Sequence, residues 1–209
     1  MTTGVASPEP LKVEVKYHVV AYDLPTKTVE VEKDSNKDRR KKAIRMWEQC
    51  RLWCTEKLHK LGLPTTMSVI LTARSREEIE WVIEQVRERY RRLSEELVRL
   101  GYSPVREPVI KVIPVLEFQW VHWKDLAEMN LRERLQRILE DLRKLAEAVR
   151  SIVVVSREDV RKAKDRLAQI RRRYRELIKK AQELDIVVEE MDMVEGAMES
   201  IVTLIREME

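Results

Sequence analysis

Six cations, Lys37, Arg39, Arg40, Lys41, Lys42 and Arg45, crowd the start of a predicted helix. Positive charge there opposes the helix macrodipole, which favours acids at an N-terminus, so the run points to an anionic partner rather than to helix stability. Helical geometry groups Lys42, Met46, Trp53 and Lys60 within about 40° on the flank of that helix's core stripe, with Arg39 and Lys57 beside them. A rail of cations over an apolar, aromatic floor suits single-stranded nucleic acid: cations track phosphates, and ring faces stack bases for about 1–3 kcal/mol each. A second aromatic group, Phe118 and Trp120 on one face of a predicted strand with Trp123 and Lys124 at its end, is read as a further floor. The competing reading of both groups is structural, with Trp53 widening the core and Phe118 filling it. The nucleic-acid-binding set is thus Arg39, Arg40, Lys42, Arg45, Met46, Trp53, Lys57, Lys60, Phe118, Trp120, Trp123 and Lys124. DNA and RNA offer the same phosphates and ring faces, and no residue identifies a reader of the 2′-hydroxyl.

Catalytic chemistry finds less support. The four glycines, at 4, 62, 101 and 196, are isolated, so no phosphate-cradling loop exists. His18, His59 and His122 have no metal spacing and no nucleophile beside them in sequence. Cys50 and Cys54 stand one helical turn apart, too few for a zinc site and poorly placed for a disulfide, and read as two small buried residues. Acids lie beside bases on helix faces, where ion pairing explains them. The expectation is a protein without catalytic residues, metal or cofactor. Trp81 points away from the core stripe of its helix, among Glu77, Glu78, Glu84 and Glu88, and suits another protein's surface.

The elements that must position these residues follow from periodicity. Leu11 to Tyr22 alternates as a half-buried strand, and Thr28 to Glu32 resumes the alternation, predicting a hairpin across the turn at Asp23 to Lys27. Ser35 or Asn36 caps a helix to Leu61 with Ala43, Trp47, Cys50, Cys54, Leu58 and Leu61 inward, stopped by Gly62. Thr65 to Ala73 reads as one strand. The capping box Ser75 to Glu78 opens a helix burying Ile79, Val82, Ile83, Val86, Tyr90, Leu93, Leu97 and Leu100 before Gly101 ends it. Val109 to His122 alternates despite Pro114 and reads as a strand with its proline at an edge or a bulge. A capping box at Asn130 to Glu133 opens a helix with Leu131, Leu135, Ile138, Leu142, Leu145 and Val149 inward. Ile152 to Val155 is a short apolar run, strand or helix continuation.

From residue 157 onward an apolar ladder at helical spacing runs to the end of the chain. Its rungs include Val160, Leu167, Ile170, Tyr174, Leu177, Leu184, Val188, Met191, Met198, Ile201 and Ile205, a stripe that needs a second helix to cover it. Charge fixes the kind of pairing. Residues 157–180 hold eleven Lys or Arg against four acids, and residues 181–209 one Arg against nine acids. An antiparallel pair sets basic against acidic. The partner is a second chain, in a homodimer or homotetramer, or the same chain if the helix folds back near Leu184 to Val188, where Asp185-Ile-Val-Val188 is the least helix-favouring stretch.

The fold class is therefore α+β: a small antiparallel sheet packed by three helices, followed by a long C-terminal zipper-like helix. The expected organisation is a flexible N-terminus over residues 1–10, a nucleic-acid-binding domain over 11–151 and a helical oligomerisation region over 152–209. On this division, removing residues after Ser151 should leave a folded domain that binds single strands more weakly, because linking weak sites on one strand raises affinity.

Charged residues make up 37% of the chain, a composition that resembles hyperthermophile proteins. Neither a signal peptide nor eighteen consecutive apolar residues occur, so a soluble cytoplasmic protein is expected, with no membrane partner. A basic, tryptophan-bearing α+β domain followed by a zipper-like helix resembles the ThermoDBP family of single-stranded-DNA-binding proteins of thermophilic archaea. The resemblance spans the architecture from Leu11 to Met208 and rests on no compact motif. It implies a role in DNA replication and repair: a basic cleft with a hydrophobic base, oligomerised through the C-terminal helix. Two rivals stand beside it. One is a self-associating or partner-docking scaffold with an inert basic rail. The other is a small CRISPR-associated metal-dependent nuclease, because His18-Val-Val-Ala-Tyr-Asp23 looks like that family's first strand ending in a metal-binding Asp. The nuclease's ferredoxin-like fold wants two strands between its helices, where the sequence pattern offers only Thr65 to Ala73.

Overall fold

The computed structural model describes residues 15–152 and 156–208, leaving the start of the predicted first strand and residues 153–155 of the Ile152 to Val155 run outside. Among the described residues the order is β1 (Tyr17–Asp23), α1 (Val29–Lys33), α2 (Lys37–His59), β2 (Leu63–Thr66), β3 (Val69–Thr72), α3 (Arg76–Arg99), β4 (Val109–Val115), α4 (Glu117–Arg150), α5 (Arg157–Glu183) and α6 (Glu190–Glu207). The fold is α+β around a four-stranded sheet in the order β2-β3-β1-β4, with every neighbouring pair antiparallel. With α2 between β1 and β2, and α3 between β3 and β4, this is a split βαβ arrangement. Two strands, not one, lie between α2 and α3. The run 65–73 breaks at Met67-Ser68 into a hairpin in which Leu63 faces Leu71.

Three other expectations are corrected. Thr28 to Glu32 forms no hairpin with β1, because both edges of β1 are taken, Val19 pairing with Leu71 of β3 and with Ile113 of β4. The segment instead makes one helical turn, α1, that buries Val31. The strand expected over 109–122 ends at Val115, and α4 begins at Glu117 and runs through Asn130 without a break. Its inward stripe starts at Trp120, Trp123, Ala127 and Leu131, a spacing of three and four that overrides the short alternation of Leu116, Phe118 and Trp120. Asn130 caps nothing, and its Oδ1 accepts a hydrogen bond from Arg134 Nε at 2.7 Å.

Helices cover both faces of the sheet. On one face Val20, Tyr22 and Ile70 pack under α2 and α3, with Trp47, Cys50, Cys54 and Leu58 buried as their spacing required. On the other, Tyr17, Val19, Leu63 and Leu71 meet α4, α5 and α6 in a single core. That is why β1, expected to be half-buried, buries His18, Val20 and Tyr22 as well as Tyr17 and Val19.

The C-terminal ladder is covered within the chain. The helical region folds back between Leu184 and Glu189, inside the stretch marked by its weak helix propensity, and α5 and α6 run antiparallel against α4. The reversal is a Schellman motif: Asp185 N donates to Gln182 O at 3.1 Å and Ile186 N to Ala181 O at 3.0 Å. Asp185 takes the left-handed position, with φ of 52°, and its carboxylate accepts from Lys16 Nζ and Tyr17 Oη. Leu167, Ile170, Tyr174, Leu177, Leu184, Val188, Met198, Ile201 and Ile205 are buried, and Val160 and Met191 pack partly buried on the same core. The side chains assigned to association are thus satisfied by the intrachain alternative. By packing, α4 belongs with α5 and α6.

Candidate nucleic-acid interface

Asn36 caps α2, its Oδ1 accepting from Arg39 N at 3.1 Å, and so begins the helix at the basic run. Arg39 is engaged within the chain. Its Nε and Nη2 grip the Asp34 carboxylate at 2.7 and 3.0 Å, and its guanidinium lies 5.4 Å from the centre of the Tyr102 ring. Arg39 first, then the Tyr102 hydroxyl and the Asn36 amide, hold the Asp34 carboxyl well below the usual range. The cluster ties the entry of α2 to the end of α3, where Gly101 takes the positive φ of a second Schellman motif. The remaining cations differ. Arg40, Lys41, Lys42, Arg45 and Lys60 form no ion pair among the described residues, in a protein whose other helices are laced with Arg–Glu pairs.

Farther along α2, Trp53 is half-buried, with the Lys57 ammonium 5.2 Å from its ring centre. Helices α2 and α3 run antiparallel, fixed by the edge-to-face contact of Trp47 with Tyr90 and by Cys50 against the Arg89 carbonyl. Trp53 consequently floors a shallow groove whose far wall is Gln85, Glu88, Arg89 and Arg92 of α3. Arg92 Nε donates to Glu88 at 2.9 Å. Met46 packs partly buried on the same core, one face of α2 away from solvent. Trp81, 65% exposed, sits one turn before Gln85 and so shares this side of α3.

The second aromatic group does not join the first. Because residues 117–124 are helical, Trp120 stacks on Tyr17 at 3.9 Å and Trp123 packs on the core of the opposite sheet face. Lys124 lies 3.8 Å from Glu128. Phe118 is in the first turn of α4, and its side chain lies outside the described residues. Trp53 and Trp120 therefore stand on opposite sides of the sheet, and one cleft cannot use both. The sequence reading missed Arg89 and Arg92. Their spacing with Trp81 and Gln85 marks one side of α3, but only the packing of α3 on α2 brings that side to Trp53.

Cys50 and Cys54 are buried thiols. Among the described residues no three His, Cys, Asp or Glu side chains come together as a metal site, and no helix is long and apolar enough to cross a membrane. No protein-family model matches the chain, and comparison with curated proteins and with solved structures finds no similar protein.

Proposed function

We propose that this chain is a non-catalytic binder of single-stranded nucleic acid, DNA by preference of the resemblance, and that it holds the strand along the outer side of α2 and the α2–α3 groove. The observation that carries the reading is the half-buried Trp53 ring with Lys57 above it, continued along α2 by Arg40, Lys41, Lys42, Arg45 and Lys60, which form no ion pair among the described residues. An indole face offers stacking to any base, and unpaired cations offer sites to successive phosphates, so recognition is tolerant of sequence. Arg39, Trp120, Trp123 and Lys124 drop out of the binding set, and Arg89 and Arg92 enter it. Self-association through the ladder is not part of the proposal, since the chain buries those side chains itself.

Titration of fluorescent oligonucleotides at several salt concentrations tests it. Single strands should bind more tightly than duplexes, with log K falling by about 0.7 per phosphate neutralised. Trp53→Ala should weaken binding by about 1–3 kcal/mol, roughly 5- to 150-fold, with little change in melting temperature. A large stability loss would mark Trp53 as core. No binding at low salt would leave the scaffold, for which exposed Trp81 is the docking residue.

The nuclease reading gains from the topology, because the two strands it required between α2 and α3 are present. Its donor set does not fit. Asp23 is exposed and 2.8 Å from Arg106, and among the described residues no three His, Cys, Asp or Glu side chains come together to hold a metal. Metal-dependent cleavage lost in Asp23→Ala would reverse this ranking.

A further inference from the structure

A cavity of about 850 Å³ lies at the end of the sheet where α2 from one layer and α4 from the other approach past the β2–β3 turn. One stripe of α2, Arg51, Thr55 and His59, faces one stripe of α4, Asn130, Glu133, Arg134 and Arg137. This is the side of α2 turned away from Trp53, about 160–240° around the helix from it. Positive charge converges there. Arg134 is half-buried, and its only hydrogen bond goes from Nε to neutral Asn130, leaving its terminal nitrogens without an acid among the described residues. Arg51 has no ion pair either, and Arg137 has only Glu133 at 4.0 Å. Behind them Lys180 donates to the His59 carbonyl at 2.8 Å. A cation withdrawn from water without a counter-charge in contact is destabilising, and the two acids that line the cavity are turned to other partners, Asp23 to Arg106 at 2.8 Å and Glu133 to Arg137 at 4.0 Å. Burial, then Arg137, lowers the Arg134 pKa.

The rest of the wall is of another kind. The Tyr22 hydroxyl donates to the Met67 carbonyl at 2.8 Å, so the His59 ring, 2.9 Å away, must donate its Nε2–H to the Tyr22 oxygen. In its neutral form His59 is therefore the Nε2–H tautomer, and burial pushes its pKa down to about 4. Thr26, Thr66 and Ser68 bring hydroxyls and Leu24 an apolar surface. The guanidinium forks match phosphate oxygens, and three of them suit a dianion better than a carboxylate. The cavity is several times larger than a phosphate, which leaves the hydroxyl-lined wall to an attached polyol.

We infer that this cavity binds a phosphate monoester of nucleoside size, its phosphate held by Arg51, Arg134 and Arg137. Two sources share that chemistry, a free mononucleotide and the terminal phosphate of a nucleic-acid strand. The inference does not rest on the Trp53 groove. Calorimetric titration of the full chain with AMP, adenosine, inorganic phosphate, and 5′-phosphorylated and 5′-hydroxyl oligonucleotides tests it. AMP should bind at least tenfold more tightly than inorganic phosphate, and adenosine should not bind. Arg134→Gln should weaken AMP at least tenfold without lowering the ligand-free melting temperature, because it removes an uncompensated cation. Trp53→Ala should leave AMP binding unchanged, which separates this site from the proposed groove. An oligonucleotide that gains affinity from its 5′-phosphate and exceeds AMP assigns the site to a strand end; AMP at least equal to it assigns a free nucleotide. No heat from any phosphate ester at millimolar concentration, or AMP binding unchanged in Arg134→Gln, would overturn the inference, and inorganic phosphate binding as well as AMP would remove its ester part.

Discussion

Ending the chain after Ser151 is expected to unfold what remains rather than to release a stable binding domain. The cut strips α5 and α6 from α4, whose Leu131, Leu135, Ile138, Leu142 and Leu145 are each at most 8% exposed. At about 1.5–3 kcal/mol for each large apolar side chain returned to water, these five represent about 8–15 kcal/mol. Part of their burial is against the sheet and survives, and an extended reference chain overstates the change, so about half is the working figure. Even about 4–8 kcal/mol is most of the stability of an ordinary domain. Thermal melts by circular dichroism with a hydrophobic dye would read this: the truncated chain should lose its cooperative transition and bind dye. In the full chain, Ile170→Asp should act in the same direction, because it places an unpaired charge where Ile170 is fully buried. A monomeric truncated chain that melts cooperatively within a few degrees of the full protein, without dye binding, would refute the claim that the ladder belongs to the main core.

Two further perturbations probe the backbone and the titration of the fold. A Cβ at Gly62 would stand 2.1 Å from the Leu71 carbonyl oxygen, so Gly62→Ala must part β2 from β3 and should cost several kcal/mol in urea unfolding, roughly 3 or more. Burial first, then Arg134 and Lys180, pushes the His59 pKa down to about 4. The unfolded chain therefore takes up this proton first as pH falls below about 6.5, and stability is lost progressively from there to about pH 4, then no further. The full difference corresponds to about 3 kcal/mol, reduced by residual solvent to about 1.5–3, and His59→Gln should flatten the stability profile in that window; an unchanged profile would show that the ring is not held neutral.

What the sequence made legible was whatever a single helix decides. The inward stripes of α2, α3 and the second half of α4 lie where their three-and-four spacing put them, Gly101 ends α3, and the place where the C-terminal helix reverses was marked by Asp185 to Val188. Readings that depended on a second element fared worse. The β2–β3 hairpin was hidden because its turn, Met67-Ser68, contains no Gly, Pro or Asn. Leu116, Phe118 and Trp120 satisfy a period of two over five residues, too short to compete with a helical stripe running from Trp120 to Val149. The rail and Trp53 could be placed on one flank of α2 by angle alone. Arg89 and Arg92 could not, since nothing local to α3 says which of its sides meets α2.

The C-terminal ladder has a task within the chain. A split βαβ unit covers one face of its sheet with its two helices, leaving Tyr17, Val19, Leu63 and Leu71 to be covered by something else. The ladder holds α4 against that face. The turn at 184–189 sets α5 and α6 antiparallel, and ion pairs tie both to α4, Arg173 to Asp141 at 2.6 Å and Arg132 to Glu190 at 3.0 Å. With α4 so fixed, its outward stripe at Asn130, Arg134 and Arg137 is carried past β2 to face Arg51 and His59 of α2. The α2–α3 groove needs none of this, since both of its walls belong to the layer on the other side of the sheet. Loosening the bundle without unfolding it, as Arg132→Ala should do by removing one tie between α4 and α6, would then weaken the cavity's ligand and leave the Trp53 groove as it was. Equal loss at both sites would mean that the two are one.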